Sequence, residues 1–380
     1  LSKRSQKLLL TFLVDTSLLL AALIVSDWIP LLRGPSPETS EWHWPYSLRP
    51  LSSWWPAILA AIALWIVAAW WLSPEKSNRL RNTVALTGLV LTSLLLQITI
   101  VYADRSDIAA ELVDRTLSNQ ASGFFEPAAE IDNMATVLRD YPRQMLSFAS
   151  EHAQTHPPGL IVANWFSIRA VARWPALSEF IAQSIRPLRC TDLWLLDRPP
   201  EIAAALGLWA VLPLIAASII VIPAYGLARL LLHGRARRLA AVLAATIPAL
   251  LLFAPKSVQL YALLTLILFW IYQSAIARRS LWRFALAGLV ISLMTYLSLG
   301  NAVLLPLLLL YAVLHQLLIN GQLKDGLVQS SSWIGLLKQL LVVTAAAASL
   351  WLVTWLLWGV APWTIAQVGL QQHYNLVTKY

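Results

Sequence analysis

The sequence has little charge and almost no cysteine, and both shortages narrow the possible classes of protein. Of its 380 residues, 12% are Asp, Glu, Lys or Arg, whereas 58% are hydrophobic and 19 are Trp. Soluble domains carry about 25% charged residues, so this composition argues against a soluble protein and predicts a membrane protein with several spans. The single Cys190 excludes an internal disulfide and a metal site built from paired cysteines.

Several kinds of functional motif are also missing. The sequence has no Gly-rich phosphate-binding loop and no Ser nucleophile elbow. Asp15 is the one Asp, Glu, Lys or Arg within a predicted span, and a single such residue makes a poor pathway for protons or ions. The net charge of +9 does not indicate a nucleic-acid partner, because Lys and Arg fall mostly in short loops between apolar runs, where they set membrane topology.

The apolar runs predict an all-α polytopic membrane protein with about nine transmembrane helices. Clusters of Lys and Arg between the spans place the amino terminus in the cytoplasm and the long loop 104–201 on the extracytoplasmic side. We expect the inner, or cell, membrane of a bacterium. The predicted spans are residues 8–26, 51–73, 82–103, 202–227, 239–255, 257–277, 284–299, 301–319 and 339–361.

These spans suggest two parts. Residues 1–82 are predicted to form an amino-terminal two-helix hairpin, and residues 83–380 a transmembrane core that includes the loop. Within the core, Pro213 and Pro223 are expected to kink the span that contains them. Because the chain begins with Leu1 and stops soon after an apolar helix, we expect it to be a fragment of a longer protein.

The loop 104–201 contains two segments with the pattern of helices that lie on a membrane surface. Pro127 can start the first helix, and the second follows Pro157-Pro158-Gly159. Each places apolar residues at helical spacing on one face. Those residues are Ile131, Met134, Ala135, Leu138 and Tyr141 in the first helix, and Ile161, Trp165, Ile168 and Ala172 in the second.

Two histidines precede the second of these helices. His152 and His156 are four residues apart, so on a helix they would share a face and could bind a metal ion. Pro157 favours an extended conformation for the residue before it, which weakens that interpretation. The alternatives left open are a rigid turn that presents the His156 imidazole and a plain helix-entry turn in which the histidine is incidental.

Three stretches of the loop carry a resemblance to a known family. They are Gly123-Phe-Phe-Glu-Pro-Ala-Ala-Glu-Ile131, Leu138-Arg-Asp-Tyr-Pro142 and Thr155-His-Pro-Pro-Gly159. Together they resemble the first catalytic-side loop of the type C (GT-C) membrane glycosyltransferases, in the branch of the protein O-mannosyltransferases and aminoarabinose transferases, and most of all bacterial members with Thr-His-Pro-Pro-Gly. The resemblance covers roughly residues 83–360. The stretch Tyr296-Leu-Ser-Leu-Gly-Asn-Ala-Val303 stands where such proteins often carry a Ser/Thr-Lys-Tyr segment.

The resemblance implies transfer of a sugar from a polyprenyl-phosphate donor on the extracytoplasmic face. An acidic residue of the loop would then act as general base or help to hold a divalent metal ion. Where the family commonly has Asp or Asp-Glu, this chain reads Asn119-Gln-Ala-Ser122, and an amide cannot act as a carboxylate base. The candidate catalytic residues are therefore neighbouring acids, Glu126 first and Asp132 next.

The same resemblance implies a set of substrate-binding residues. His156 would orient the donor phosphate or support the acid, His152 would assist it, and Arg169 and Arg173 would meet the phosphate at the membrane surface. Partners would be the polyprenyl-phosphate sugar and membrane lipids, with no nucleic acid. Two other functions stay open: a non-catalytic accessory subunit that packs against partner membrane proteins, favoured by Asn119, and a transporter of lipids or small molecules.

Overall fold

The computed structural model describes residues 11–12, 15–23, 26, 28–33, 50–73, 78–119, 121–189, 192–319 and 330–378. Contacts between Cα atoms divide the chain into two compact units, Leu1–Ser52 and Ser53–Tyr380. In the first unit, residues 15–23 are helical and Pro30–Arg33 form a 3-10 helix. Residues 8–10, 13–14 and 24–25 of the span predicted over residues 8–26, and Cys190, lie outside the described residues.

The described part of the chain is helical and contains no β-strand. Short 3-10 helices cover Met145–Ser147 and Leu299–Val303. The remaining helices, numbered in chain order, are α1 (Leu51–Leu72), α2 (Arg79–Asp104), α3 (Ile108–Leu117), α4 (Phe125–Ala129), α5 (Met134–Arg139), α6 (Tyr141–Gln144), α7 (Glu151–Thr155), α8 (Gly159–Val171), α9 (Pro175–Ser184), α10 (Arg186–Arg189), α11 (Leu193–Leu196), α12 (Pro200–Ile219), α13 (Val221–Leu231), α14 (Gly234–Ala245), α15 (Pro248–Leu252), α16 (Val258–Arg278), α17 (Leu281–Leu297), α18 (Leu304–Ile319), α19 (Ser330–Trp358) and α20 (Pro362–Val377).

Within the described ranges, six helical segments are long and apolar enough to cross a membrane, so the chain is an all-α membrane protein. They fall on six of the runs predicted from the sequence, although most begin or end a few residues away from the predicted limits. α17 is also apolar but is shorter. The six segments are Ser52–Leu72, Arg79–Asp104, Pro200–Leu231, Val258–Arg278, Leu299–Leu317 and Trp333–Trp358.

The single helix predicted over residues 239–255 was wrong, because two helices, α14 and α15, occupy this part of the chain. Pro248 lies in the first turn of α15, and a proline disfavours the helical conformation in the residue before it. Ile247 is accordingly extended, with φ −63° and ψ 113°. A run of apolar residues alone does not reveal such a break.

The two short helices nevertheless connect the two ends of the helix bundle. Arg235 of α14 donates from Nε to the Leu72 carbonyl oxygen at 2.8 Å, where α1 ends. Ala254, just after α15, accepts a 2.6 Å hydrogen bond from Arg115 of α3, beyond the other end of α2. We call the first of these the arginine end of the bundle and the second the loop end.

The kink predicted at Pro223 corresponds to a break between α12 and α13. α12 ends at Ile219 and α13 begins at Val221. A proline cannot donate a backbone hydrogen bond, and its ring clashes with the carbonyl four residues earlier, which here belongs to Ile219. Pro213, in contrast, lies inside α12, which continues through it.

Two buried glutamines join α12 to neighbouring helices through hydrogen bonds. Gln259 of α16 donates from Nε2 to the Leu250 carbonyl of α15 at 2.7 Å and to Gln97 Oε1 of α2 at 3.1 Å. Gln97 in turn donates to the Ser218 hydroxyl at 2.8 Å and to the Leu214 carbonyl at 3.2 Å, both in α12. Both glutamine side chains are fully buried, so this network ties α2, α12, α15 and α16 together where water cannot satisfy their polar groups.

The single amphipathic helix predicted to follow Pro127 was also wrong. The segment forms three short helices, α4, α5 and α6. The Asn133 side chain caps the second of them by accepting hydrogen bonds from the Ala135 and Thr136 backbone N–H groups at 3.0 and 3.3 Å, which starts a new helix at this point. The apolar positions themselves are buried as expected, namely Ile131, Met134, Leu138 and Tyr141.

A helix, α8, does follow Pro157-Pro158: it begins at Gly159 and buries Ile161 and Ile168, while its predicted position on a membrane surface stays a prediction. A further helix, α20, was not predicted. It packs onto the loop, where Gln372 Nε2 donates to Gln154 Oε1 at 2.7 Å. The loop at this end of the bundle is therefore covered by the last described helix.

The glutamine network predicts a stability loss in the variant Gln259→Leu. The change leaves the Leu250 carbonyl and Gln97 Oε1 buried without this donor, which costs about 1–3 kcal/mol in the free energy of unfolding. Thermal unfolding of purified protein in one detergent measures it, with the exposed Gln183→Leu as control. Equal unfolding temperatures for the two variants would show that the network does not stabilise the bundle.

Candidate functional site

The three stretches that carry the family resemblance contact one another at a single turn. The turn is His156, whose backbone is extended at the end of α7, with φ −112° and ψ 152°, as predicted from the proline that follows it. The Phe124 ring packs edge-on against the His156 ring with centroids 5.3 Å apart. The Tyr141 hydroxyl donates to the His156 carbonyl oxygen at 3.0 Å. Phe124 and Tyr141, from the first two stretches, therefore both contact His156 of the third.

Gly159 lets the fourth quoted stretch join this group. A Cβ atom at Gly159 would lie 2.2 Å from the Tyr296 carbonyl oxygen and 2.8 Å from the Leu297 nitrogen, much closer than carbon can approach either atom. Without a side chain, α8 begins directly against the end of α17. The glycine of Thr155–Gly159 thus has an architectural role, because it brings the loop onto the spans.

Gly123 has a comparable role before α4. Its φ is +67°, in the left-handed region that glycine adopts most easily, and an added Cβ would lie 1.8 Å from Ser150 Oγ. The same Ser150 hydroxyl donates to the Asn119 carbonyl oxygen at 3.3 Å. The turn therefore fixes the segment in front of α4 and, with it, the direction in which α4 starts.

Glu126 lies in the first turn of α4, where it contacts Asn119. The Asn119 Nδ2 group donates to Glu126 Oε2 at 3.3 Å. Both side chains line an open cleft at the loop end that encloses about 550 Å³ of empty space, part of it open to solvent. The structure therefore places the first-choice carboxylate beside the amide that stands where the resemblance expects an acid.

Two other carboxylates line this cleft, and both have structural partners. Asp114 Oδ2 accepts a 2.6 Å hydrogen bond from the Arg105 guanidinium, and this bond is the first cause that raises the pKa of Arg105. Asp192 Oδ1 caps α11 by accepting from the Leu195 backbone N–H at 2.9 Å. Among the described residues, each of the three lining carboxylates has one oxygen without a protein partner. Glu126 differs from the other two because its bonded oxygen contacts an amide side chain, whereas Asp114 pairs with a guanidinium and Asp192 caps a helix.

Ion pairs hold the rim of the cleft in place. Arg115 contacts Glu111 at 2.6 Å and Asp104 at 2.8 Å, and it also donates to the Ala254 carbonyl. Each exposed pair contributes little to stability by itself. Together, however, they join the end of α2 and the chain before α16 to α3. Asp114 and Leu117 of α3 line the cleft.

His156 is half-buried, and its ring is fixed by hydrogen bonds. Its Nδ1 lies 2.7 Å from the His152 carbonyl oxygen and 3.1 Å from the Thr155 hydroxyl. A carbonyl can only accept, so Nδ1 carries the proton and Nε2 of the neutral ring is an acceptor. Burial lowers the pKa of His156; the hydrogen bond to the His152 backbone opposes this effect, whereas the charges of His152 and His373 add to the lowering. The neutral ring therefore brings no positive charge for a phosphate.

Metal binding was the alternative for these histidines. The His152 and His156 rings are 6.2 Å apart between centroids, and His156 Nδ1 is already committed to a carbonyl. Within the described residues, no group of three or more His, Cys, Asp or Glu side chains is arranged to hold a metal ion. The side chains present therefore do not form the usual protein-ligated metal site, and no step of the reaction is assigned to a metal.

The remaining predicted site residues lie on a different part of the loop. Asp132 is exposed, and its backbone carbonyl accepts a 3.2 Å hydrogen bond from Arg169 Nη2. The Arg169 guanidinium also lies over the Trp165 ring, 5.6 Å from its centroid. Arg173 is exposed beyond the end of α8. None of the three lines the cleft around Glu126.

Residues that sequence reasoning missed line a second, narrower cavity next to the cleft. Lys256 and Ser257, before α16, face Thr116, Ser122 and Phe124 across about 340 Å³ of empty space. The predicted spans 239–255 and 257–277 leave Lys256 as the turn between them, on the extracytoplasmic side. A signal was present in the sequence, because a lysine on that side departs from the general placement of basic residues.

Comparison with protein-family models, with curated proteins and with solved structures finds no match for this chain. The interpretation of the site therefore depends on its own residues and on the resemblance of the loop stretches.

Gly159→Ala tests the close approach of α8 to α17. The added methyl group cannot fit beside the Tyr296 carbonyl, so we expect the free energy of unfolding to fall by about 1–3 kcal/mol. Gly300→Ala is the matched control, since its Cβ would meet only Ser298 Oγ at 3.7 Å. Thermal unfolding of both purified variants measures the difference, and a Gly159→Ala protein as stable as the control would contradict the packing.

The low pKa of His156 predicts a dependence of stability on pH. The unfolded chain protonates this imidazole near pH 6.5, whereas the folded protein does so only at lower pH. Its contribution to stability is therefore complete above about pH 6.5 and is lost as the pH falls towards the folded pKa. His152, on α7, and His373, on α20, are the titrating groups that face it.

The measurement is the unfolding temperature at about pH 7.5 and about pH 5.5, on either side of an ordinary histidine pKa. The wild-type protein should lose more stability between these values than His156→Gln does. His233→Gln, which removes an exposed histidine, should behave like the wild type. The same acid loss in His156→Gln and the wild type would assign the effect to other groups.

Proposed function

We propose that this protein transfers a sugar from a polyprenyl-phosphate donor to an acceptor at the loop end of the bundle. The observation that carries the proposal is the contact between Asn119 and Glu126. It supplies a carboxylate at the place where the sequence pattern has an amide, and the amide itself orients that carboxylate. The loop stretches that resemble type C glycosyltransferases surround this pair.

Glu126 is the general base in this proposal. As the acceptor hydroxyl oxygen attacks the anomeric carbon of the sugar, its proton passes to Glu126. The bond from the anomeric carbon to the phosphate oxygen breaks, and the polyprenyl phosphate leaves with the bonding electron pair. A positioned base of this kind typically contributes a factor of about 10²–10⁴ to the rate.

The other predicted residues take supporting roles. Arg169 and Arg173 lie exposed on the loop and would meet the donor phosphate near the membrane surface. His156 would support the loop as a neutral ring around which the resembling stretches assemble, with His152 supplying the carbonyl that fixes it. Asp132 would act as the base if the acceptor entered from the side of Arg169.

The proposed topology has nine crossings. Six are the long apolar helices, the seventh is α17, the eighth is the interrupted pair α14 and α15, and the ninth contains residues 15–23. With the amino terminus in the cytoplasm, the Lys and Arg residues of the arginine end stay on the cytoplasmic side. The cleft around Glu126 then faces outwards from the inner membrane of a bacterium.

Transfer of labelled sugar from polyprenyl-phosphate donors to a panel of acceptors tests the proposal in purified, reconstituted protein. Glu126→Gln should lower turnover by about 10²-fold or more, with an unchanged unfolding temperature. Asp140→Asn is the matched control, because it removes a loop carboxylate outside the cleft. Asn119→Ala should cause a smaller loss, since it leaves the base but removes the group that orients it.

The other outcomes decide between the alternatives. Loss of transfer in Asp132→Asn, with Glu126→Gln active, would move the base to Asp132. A folded wild-type protein that neither binds nor turns over any donor of a broad panel would reject catalysis, and the chain would then be better described as an accessory subunit of a membrane complex.

A further inference from the structure

A second cleft lies at the arginine end of the bundle. It forms between the start of α2, the second half of α13, α14 and α16, and it encloses about 1210 Å³ of empty space, part of it open to solvent. Arg79, Arg229 and Arg237 line it together, from three different helices. Each of the three reaches the cleft from a separate element, so the fold and not one run of sequence brings these charges to one place.

These arginines have no acidic partner among the described residues. Within the described ranges, no ion pair involves any of them, and the Nε atom of Arg237 is buried without a hydrogen-bond acceptor. The sequence explains why, because from Ile202 to Tyr380 it has a single acid, Asp325, and between residues 52 and 103 a single acid, Glu75. Buried polar groups normally have partners, so the unpaired Nε atom of Arg237, a residue that lines the cleft, favours a ligand that supplies acceptors to this group of arginines.

The rest of the lining is suited to an anion with an apolar part. Beside the three arginines, Asn82 and Thr83 line the cleft, while Trp270 and Ile222 line its apolar wall. Arg229 lies over the Tyr225 ring, 5.9 Å from its centroid, which leaves the donors of the guanidinium edge accessible. Guanidinium groups match the geometry of phosphate oxygens and bind them with charge-assisted hydrogen bonds.

Gly226 helps to shape this apolar wall. A Cβ atom at Gly226 would lie 2.5 Å from the Trp270 ring, so glycine allows the indole to lie directly against α13. Trp270 and Ile222 are both partly exposed on the outer surface of the bundle. The cleft is therefore continuous from the arginines to a surface that contacts lipid chains in a membrane protein.

We propose that this cleft at the arginine end binds a phosphate-bearing anion through Arg79, Arg229 and Arg237. The phosphate belongs either to the headgroup of an anionic lipid or to a free phosphorylated solute, and the chemistry of recognition is the same for both. The proposal is independent of the sugar transfer assigned to the opposite end of the bundle.

The test uses the purified full chain in phosphatidylcholine nanodiscs. In one arm, the nanodiscs also contain phosphatidic acid, and native mass spectrometry counts the phosphatidic acid that stays bound after release. In the other arm, inorganic pyrophosphate is titrated calorimetrically into discs without phosphatidic acid. Retention of phosphatidic acid assigns the site to a lipid headgroup, whereas pyrophosphate binding without lipid retention assigns it to a free solute.

Two variants and one matched control make the test specific. Arg237→Gln and Arg229→Gln should each weaken binding by about tenfold or more, the loss expected for one charge-assisted contact. Arg278→Gln removes one exposed positive charge from the end of α16, outside the cleft, and should leave binding within about twofold. Arg229 is exposed, so its variant stays informative if Arg237→Gln fails to fold.

Two results would overturn the proposal. One is the absence of binding in both arms with folded wild-type protein. The other is an equal loss of binding in Arg278→Gln and the two cleft variants, which would show general attraction of anions to the positive end of the bundle and no site.

Discussion

The fold depends on one constraint, which is that polypeptide within a bilayer must satisfy its own backbone hydrogen bonds. Continuous helices meet it without help, but the apolar chain is broken between α14 and α15. The buried amides of Gln97 and Gln259 compensate, because they bond the Leu250 carbonyl of the short helix and each other. The structure of the loop end depends on these hydrogen bonds, because Ala254 follows α15 closely and accepts the hydrogen bond from Arg115. A polar pair near the loop end of the bundle, with Gln259 in the first turn of α16, thus helps to position the wall of the cleft.

The candidate site shows how a loop can acquire fixed geometry from short pieces. None of α4, α5, α6 or α7 is long enough to be stable alone. They are held because their apolar residues pack around the His156 turn and because Gly159 lets α8 begin against α17. His156 therefore acts mainly as a half-buried neutral ring around which the neighbouring segments pack. The candidate base is the carboxylate of Glu126, which lines the cleft beside Asn119.

Prediction from the sequence succeeded where a single local interaction determines the structure. Pro157 sets the backbone of His156, and helical spacing identifies the buried positions Ile131, Met134 and Leu138. It failed where helix continuity depends on side-chain caps or on distant partners. Asn133 restarts a helix inside an unbroken apolar pattern, and Ile247 breaks a run whose composition is that of a span. The bond between Asn119 and Glu126, and the packing of α20 on the loop, could not be predicted, because both depend on how separate elements meet.

The two clefts lie at opposite ends of the bundle, and the separation of charge explains how both can exist. α2 runs from the arginine end to the loop end over 26 residues, roughly 39 Å at the rise of a helix. Over that distance, and with salt in solution, charges at one end have almost no influence on charges at the other. The acids of residues 104–201 therefore cannot neutralise Arg79, Arg229 and Arg237. Among the described residues no acid pairs with these guanidinium groups, and a phosphate ligand supplies both the charge and the number of oxygens that three arginines require.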